Sequence, residues 1–140
     1  MYRLIYKSQS VSEVDQEMVK DIIECSWKTN EKSKITGALL ATRTHFLQVL
    51  EGEFAEVNET FFRIVSDPRH QYIQLISFAP AARRLFEGWT MQGFGLFDLD
   101  LELEKRLKVK FGEESGGVCF PVEEWSALSL MSDIRAIRDQ

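Results

Sequence analysis

The chain has 140 residues, 44% hydrophobic and 28% charged, which suits one domain with a core of its own. Seventeen Lys and Arg against 22 Asp and Glu leave a net charge of −5, and no basic run appears, so a nucleic-acid surface is not expected. No apolar stretch reaches the ~18 residues of a membrane span, and the N-terminus lacks a basic segment followed by an apolar one, so no membrane contact and a cytoplasmic location are expected.

The first element is a strand at Tyr2–Ser8 (YRLIYKS), with Tyr2, Leu4 and Tyr6 on one face. A helix follows from about Ser12 to Lys28, in which Met18, Val19, Ile22, Ile23 and Ser26 recur at helical spacing. KITGALLAT and THFLQVLEG predict two strands joined by a short polar turn near Arg43. FAEVNETFFRIVSDPRH predicts a second helix, striped by Val57, Phe61, Ile64 and Val65 and ended by Pro68. QYIQLISFA and GWTMQGFGLF predict two further strands. The order βαββαββ is α+β, a ferredoxin-like sandwich in which both helices cover one face of the sheet.

The other face needs a cover, and residues 98–140 can supply it. Leu99, Leu103, Leu107 and Phe111 fall at intervals of four and predict a helix ended by Gly112. EESGG reads as a loop. Pro121 stands near the N1 position of a last helix striped by Trp125, Leu128, Met131 and Ile134. Residues 1–97 then form the main unit. Residues 98–140 form a two-helix cap within the same globule, being too short to bury a core alone.

Cys25 and Cys119 are far apart and read as reduced, buried thiols. His45 and His70 are too few for a zinc site, so no metal is expected. There is no GxGxxG and no phosphate loop.

One residue resists this purely structural reading. In FLQVL, Leu47 and Val49 point one way while Phe46, Gln48 and Leu50 point the other, so both faces are apolar except at Gln48. A buried amide left unpaired costs ~1–3 kcal/mol. Tyr6, on the neighbouring central strand, is one plausible partner. Ile22, Ser26, Thr29 and Asn30 lie within about 100° of arc on the first helix, an apolar stripe whose end turns polar. On the second helix Arg63 and Asp67 are spaced i, i+4 beside Ile64. A flat heterocycle with polar edges between the two helices would suit them all. Taken singly, Asn30 reads as a helix C-cap, and Arg63 with Asp67 as a surface pair. Composition and periodicity do not name the ligand.

At YRLIYKS with Tyr6, at Asn30 ahead of ITGALL, at FLQVLEGE with Gln48, at RIVSDPRH, and at WTMQ with Trp89 and Met91, the chain resembles the BLUF domains, blue-light sensors that use FAD. The resemblance runs from about Tyr2 to Phe97. It departs at Lys34, where the family often has Gly, and at Thr29, where Asn or His is frequent. It implies a flavin ring between the helices with Ile22 and Ile64 against its faces and Phe46 walling the slot. Asn30 would sit at the N3–H and C4 carbonyl edge, Arg63 at the C2 carbonyl, and Asp67 at the ring edge or ribityl chain. Gln48 would bridge Tyr6 and the flavin, with Ser26 and Thr29 completing the binding set.

The mechanism it implies is light-driven electron and proton transfer from Tyr6 through Gln48, leaving rearranged hydrogen bonds and a red-shifted state, with no substrate turned over. It also implies output through Trp89 and Met91, read as sharing one face of the last strand. The signal would pass to a separate effector protein or through a homo-oligomer. Two readings from other classes are a flavin-dependent redox enzyme and a light-independent small-molecule regulatory domain on the same fold.

Overall fold

The structure is a computed structural model that describes residues 1–138, with the backbone alone described at 29–33. Five strands form one sheet in the order β4-β1-β3-β2-β5: β1 (Tyr2–Ser10), β2 (Thr36–Ala41), β3 (His45–Gly52), β4 (His70–Pro80) and β5 (Gln92–Gly95). β1 and β3 sit at the centre, and all pairings are antiparallel except β2 with β5. This is the split βαβ arrangement with one added edge strand.

Helices α1 (Gln16–Ser33) and α2 (Phe54–Val65) lie on one face. There Val19, Ile23 and Val57 pack on Leu4, Tyr6, Phe46 and Leu50. The first helix starts four residues later than its periodicity predicts, because Asp15 caps it by accepting from Met18 N–H at 2.8 Å. It also runs past Asn30, which is therefore not a C-cap position. α2 ends at Val65, ahead of Pro68, so Asp67 lies beyond the helix and is not the i, i+4 partner of Arg63.

The opposite face is covered by the cap, as expected. Ile5, Leu40, Leu47 and Val49 of the sheet meet Leu107 of α3 (Leu101–Phe111) and Ala127, Leu130, Met131 and Ile134 of α4 (Glu124–Arg138). The predicted α4 stripe is rotated: Trp125 is 71% exposed, and the buried spacing is 127, 130, 131, 134. EESGG is not a plain loop. It turns a hairpin of β6 (Glu113–Glu114) and β7 (Gly117–Val118), with Ser115 and Gly116 both left-handed at φ 51° and 85°, the pair a type I′ turn requires.

The last predicted strand is much shorter than GWTMQGFGLF, and Trp89 and Met91 both precede it. They do not share a face. Trp89 packs with the cap-side core, whereas Met91 is fully buried on the helix side. The cause is upstream: residues 81–89 loop across the ends of β1, β3 and β2, anchored by the buried carboxylate of Glu51. That carboxylate accepts from Leu85 N–H at 2.8 Å, Phe86 N–H at 2.9 Å and Arg3 Nε at 3.0 Å. Both cysteines are free, as expected, but neither is buried.

Candidate functional site: a polar-floored slot between two helices

A cavity of about 210 Å³ opens between α1 and α2 above the central strands. Its lining includes eight of the predicted binding residues: Tyr6, Ile22, Ser26, Phe46, Gln48, Arg63, Ile64 and Asp67. The side chains of Thr29 and Asn30 lie outside the described residues.

The floor is built by strand register. Tyr6 and Gln48 are directly opposite on β1 and β3, and both are 3% exposed. The Tyr6 hydroxyl donates to Gln48 Oε1. Burial, with the Asp67 charge adding to it, pushes the Tyr6 phenol well above the ordinary phenol range, so it is a neutral donor. The amide nitrogen of Gln48 meets Met91 Sδ at 3.5 Å. A thioether is a weak acceptor. The amide is thus strongly held on its oxygen side and weakly on its nitrogen side, with the slot next to it. The pairing of β1 with β4 shifts register on both sides of Tyr6 and Lys7, and bulges of this kind gather beside functional sites.

The walls come from the helices. Ile22 and Ile64 face the slot from α1 and α2. Ser26 donates back to Ile22 O at 3.0 Å, so its hydroxyl is already satisfied within the helix. Arg63 donates to Thr60 Oγ1 at 3.1 Å. Asp67 is bound instead by Arg69, whose Nε lies 3.0 Å from both carboxylate oxygens. That side-chain hydrogen bond holds the Asp67 carboxyl below the usual carboxylate range. At this end the slot therefore presents a neutralised Asp67–Arg69 pair rather than an open carboxylate.

Six lining residues escaped the sequence reading: Cys25, Leu39, Leu50, Thr60, Arg69 and His70. Leu50 shares the strand face of Gln48, and Leu39 is the register partner of Gln48, so strand period could have found both. Cys25 and Thr60 stand at helical spacing from Ile22 and Ile64. Arg69 and His70 follow the helix end, where no periodicity operates. His70 Nε2 donates to Ile64 O at 2.7 Å, and its Nδ1 lies 2.8 Å from Ser8 Oγ. The ring thereby fixes the end of α2 to β1.

This donor set fits a flat, hydrogen-bonding heterocycle: apolar walls, a guanidinium, and a buried amide with donor capacity left over. Among the described residues no group of His, Cys, Asp and Glu could hold a metal ion, and no helix is long and apolar enough to cross a membrane.

Comparison with known proteins points the same way. A family model described as sensors of blue-light using FAD (BLUF) matches residues 1–92. The blue light- and temperature-regulated antirepressor BluF of Escherichia coli K12 is 34% identical over 100 residues, 70% of this chain and 24% of its own length. The chain thus spans about a quarter of that relative. The dark-state structure of BlrB, a BLUF protein, superposes with a TM-score of 0.64 at 30% identity, over 77% of this chain and 76% of that one. A bacterial light-regulated adenylyl cyclase shares the fold with a TM-score of 0.73 at 24% identity, over 99% of this chain and 36% of that one.

Proposed function

Because the chain belongs to the BLUF family of blue-light sensors using FAD, we propose that Tyr6 and Gln48 are its photochemical pair and that the slot between α1 and α2 is its flavin site. Bound FAD supplies blue-light absorption and, once excited, an electron acceptor. The observation that carries the residue assignment is the Tyr6–Gln48–Met91 chain beneath the slot. Tyr6 would give that acceptor an electron and pass its proton along the existing hydrogen bond to Gln48 Oε1. Recombination would return an electron and a proton to Tyr6, so that only the amide is left changed. The amide turns or tautomerises, which exchanges its donor and acceptor sides. The Tyr6 oxygen then accepts where it had donated, and the amide presents a changed hydrogen-bonding group to the slot. No substrate is turned over.

Ile22 and Ile64 hold the flat ring, Phe46 closes the slot, and Arg63 with Asn30 and Thr29 meets its polar edge. Ser26 and the Asp67–Arg69 pair border it.

We assign residues 1–97 to the sensing unit and 98–140 to a cap that takes up the signal. The signal passes to an effector protein or domain outside these residues, or between copies in a homo-oligomer. Exposed Leu101, Val109, Val122 and Trp125 on the cap support a protein contact there. Two free thiols support a reducing, cytoplasmic compartment.

The test is one absorption spectrum. Purified protein should be yellow and shift reversibly to the red under blue light. Protein that stays colourless after FAD is added, or yellow without a light-induced shift, overturns the reading.

A further inference from the structure

We propose that Trp27 is a positioning residue that pins Met91 against Gln48, so that helix α1 sets how readily the Gln48 amide rearranges. This rests on the role given to Gln48 above. Trp27 lies on α1 one residue beyond Ser26, and is 44% exposed. Its indole N–H donates to the backbone carbonyl of Met91 at 2.9 Å, 64 residues away in the chain.

Met91 is held at both ends. Its carbonyl is bound by Trp27, and its sulfur lies 3.5 Å from Gln48 Nε2 with the whole residue at 0% exposure. Met91 sits just before β5, between Trp89, whose carbonyl already accepts from Gly37 N–H of β2 at 3.0 Å, and Gln92, where the regular pairing with β2 starts.

The Trp27 bond continues a seam. Val19, Ile23 and Trp27 are spaced i, i+4, i+8 on α1, so they form one row. The first two press on Gly93 so closely that a Cβ there would stand 2.6 Å from Ile23 Cγ1 and 3.1 Å from Val19 Cγ1. Helix α1 therefore lies directly on the backbone of β5, and Trp27 extends the contact to Met91. Swinging Met91 out of the core requires that bond to break. The same helix carries Ile22 and Ser26 into the slot, so one rigid element touches both the ligand site and the residue beneath Gln48. With Met91 held in, the arrangement that points Gln48 Nε2 at sulfur is favoured. Without the tether it loses support.

The experiment uses flavin-loaded protein carrying 13C-methyl methionine, which gives four methyl signals at most. Trp27→Phe removes the N–H and keeps an aromatic ring. In the dark, the Met91 methyl resonance should move towards the shift of an exposed methionine. The red shift should survive, and dark recovery should slow on the order of three- to tenfold, the range of one lost hydrogen bond. In a Met91→Leu background the same change should alter recovery less than twofold, because the sulfur contact is already gone. An unmoved Met91 methyl, or independent and multiplicative effects in the double variant, overturns the proposal. In the unaltered protein the Trp27 indole N–H should exchange slowly with solvent, and exchange at the rate of a free indole overturns it without any variant. A missing red shift in the unaltered protein sinks the Gln48 reading instead, and the dark-state methyl and indole results then still decide the Trp27 contact.

Discussion

Tyr6 and Gln48 face each other across the β1–β3 ladder as register partners, buried together, with the phenol donating to the amide oxygen. The contact lies on the helix side of the sheet, on the floor of the slot. It gives the oxygen of Gln48 a strong donor and leaves its nitrogen with a thioether. A buried amide so unevenly paired costs less to turn than one locked on both sides.

Gln48→Leu keeps the volume and removes both polar ends. The fold and flavin content should persist, and the light-induced red shift should vanish. Absorption spectra before and after illumination decide it. A red-shifted product of normal size in this variant means that the amide is not the switching group.

Tyr6→Phe removes the donated proton and makes the ring harder to oxidise while preserving its contact with Phe61, centroids 5.7 Å apart. Flavin should remain bound and its fluorescence should rise, since the phenol that would donate the electron is gone. Steady-state fluorescence against absorbance at equal flavin measures it. An unchanged photocycle would identify another donor, Trp89 first.

Sequence pattern captured the sheet, both flanking helices and the cap, because each rests on a long apolar periodicity. Alternation in FLQVL placed Gln48 on the slot side correctly, and α1 and α2 brought Ile22 and Ile64 to it. The misses have local causes. Strand period puts Trp89 and Met91 on one face, but the buried Glu51 carboxylate holds residues 85 and 86 and the chain then turns at Gly88 (φ 85°), with Trp89 N–H donating to Phe86 O at 2.9 Å, so the strand starts only at Gln92. Arg63 and Asp67 were paired by helical spacing, yet the helix stops between them and Arg69, two residues on from Asp67, wins the carboxylate. The Trp27–Met91 bond was beyond reach, since no periodicity links side chains to a distant backbone carbonyl.

Lys34 adopts φ 57°, a left-handed conformation that costs a residue with a Cβ ~1–2 kcal/mol. Glycine is the residue expected there by resemblance, and the conformation supplies the reason. Lys34→Gly should raise stability by about 0.5–1 kcal/mol, after allowing for the greater freedom of glycine in the unfolded chain. A urea midpoint that falls or stays put refutes the strain.

Behind the slot, Lys7 follows Tyr6 in β1 and donates to Glu114 of the β6–β7 hairpin at 2.9 Å, with His45 Nε2 3.7 Å from the same carboxylate oxygen. Burial outweighs the Glu114 charge and lowers His45 below 6.5. Burial raises Glu114, but the Lys7 hydrogen bond and charge, with His45 and Cys119, overcome it and lower the net value below 4.5. In both cases the unfolded chain binds more protons than the folded one, so stability falls as pH falls. The His45 contribution should be intact above 6.5 and decline below it. The Glu114 contribution should be intact above 4.5 and be lost below that value. Urea midpoints at pH 7.5, 5.5 and 3.5 measure the slope. His45→Gln should flatten only the upper part, and an equal slope there in both proteins rules His45 out.

On the far side of the sheet from the slot, Trp89 stands between Phe86 and Phe94, each centroid 5.6 Å away, and Arg135 of α4 lies 5.1 Å from the Trp89 ring. The Arg135 guanidinium also donates to Leu85 O, in the loop that Glu51 anchors. Met91 and Trp89 are two residues apart, one beneath Gln48 and the other under this arginine. A rearrangement at Gln48 that displaces the backbone at Met91 is therefore expected to reach Trp89. Cation–π contact and hydrogen bond together are worth roughly 1–2 kcal/mol, enough to change the opening of a helix end about tenfold. Illumination should lower hydrogen-exchange protection in α4, most of all near Arg135. Arg135→Gln should abolish that difference while leaving flavin binding and the red shift intact. Equal α4 protection in dark and lit protein would show that the signal leaves by another surface. A difference that survives in Arg135→Gln would show that it reaches the cap without this arginine.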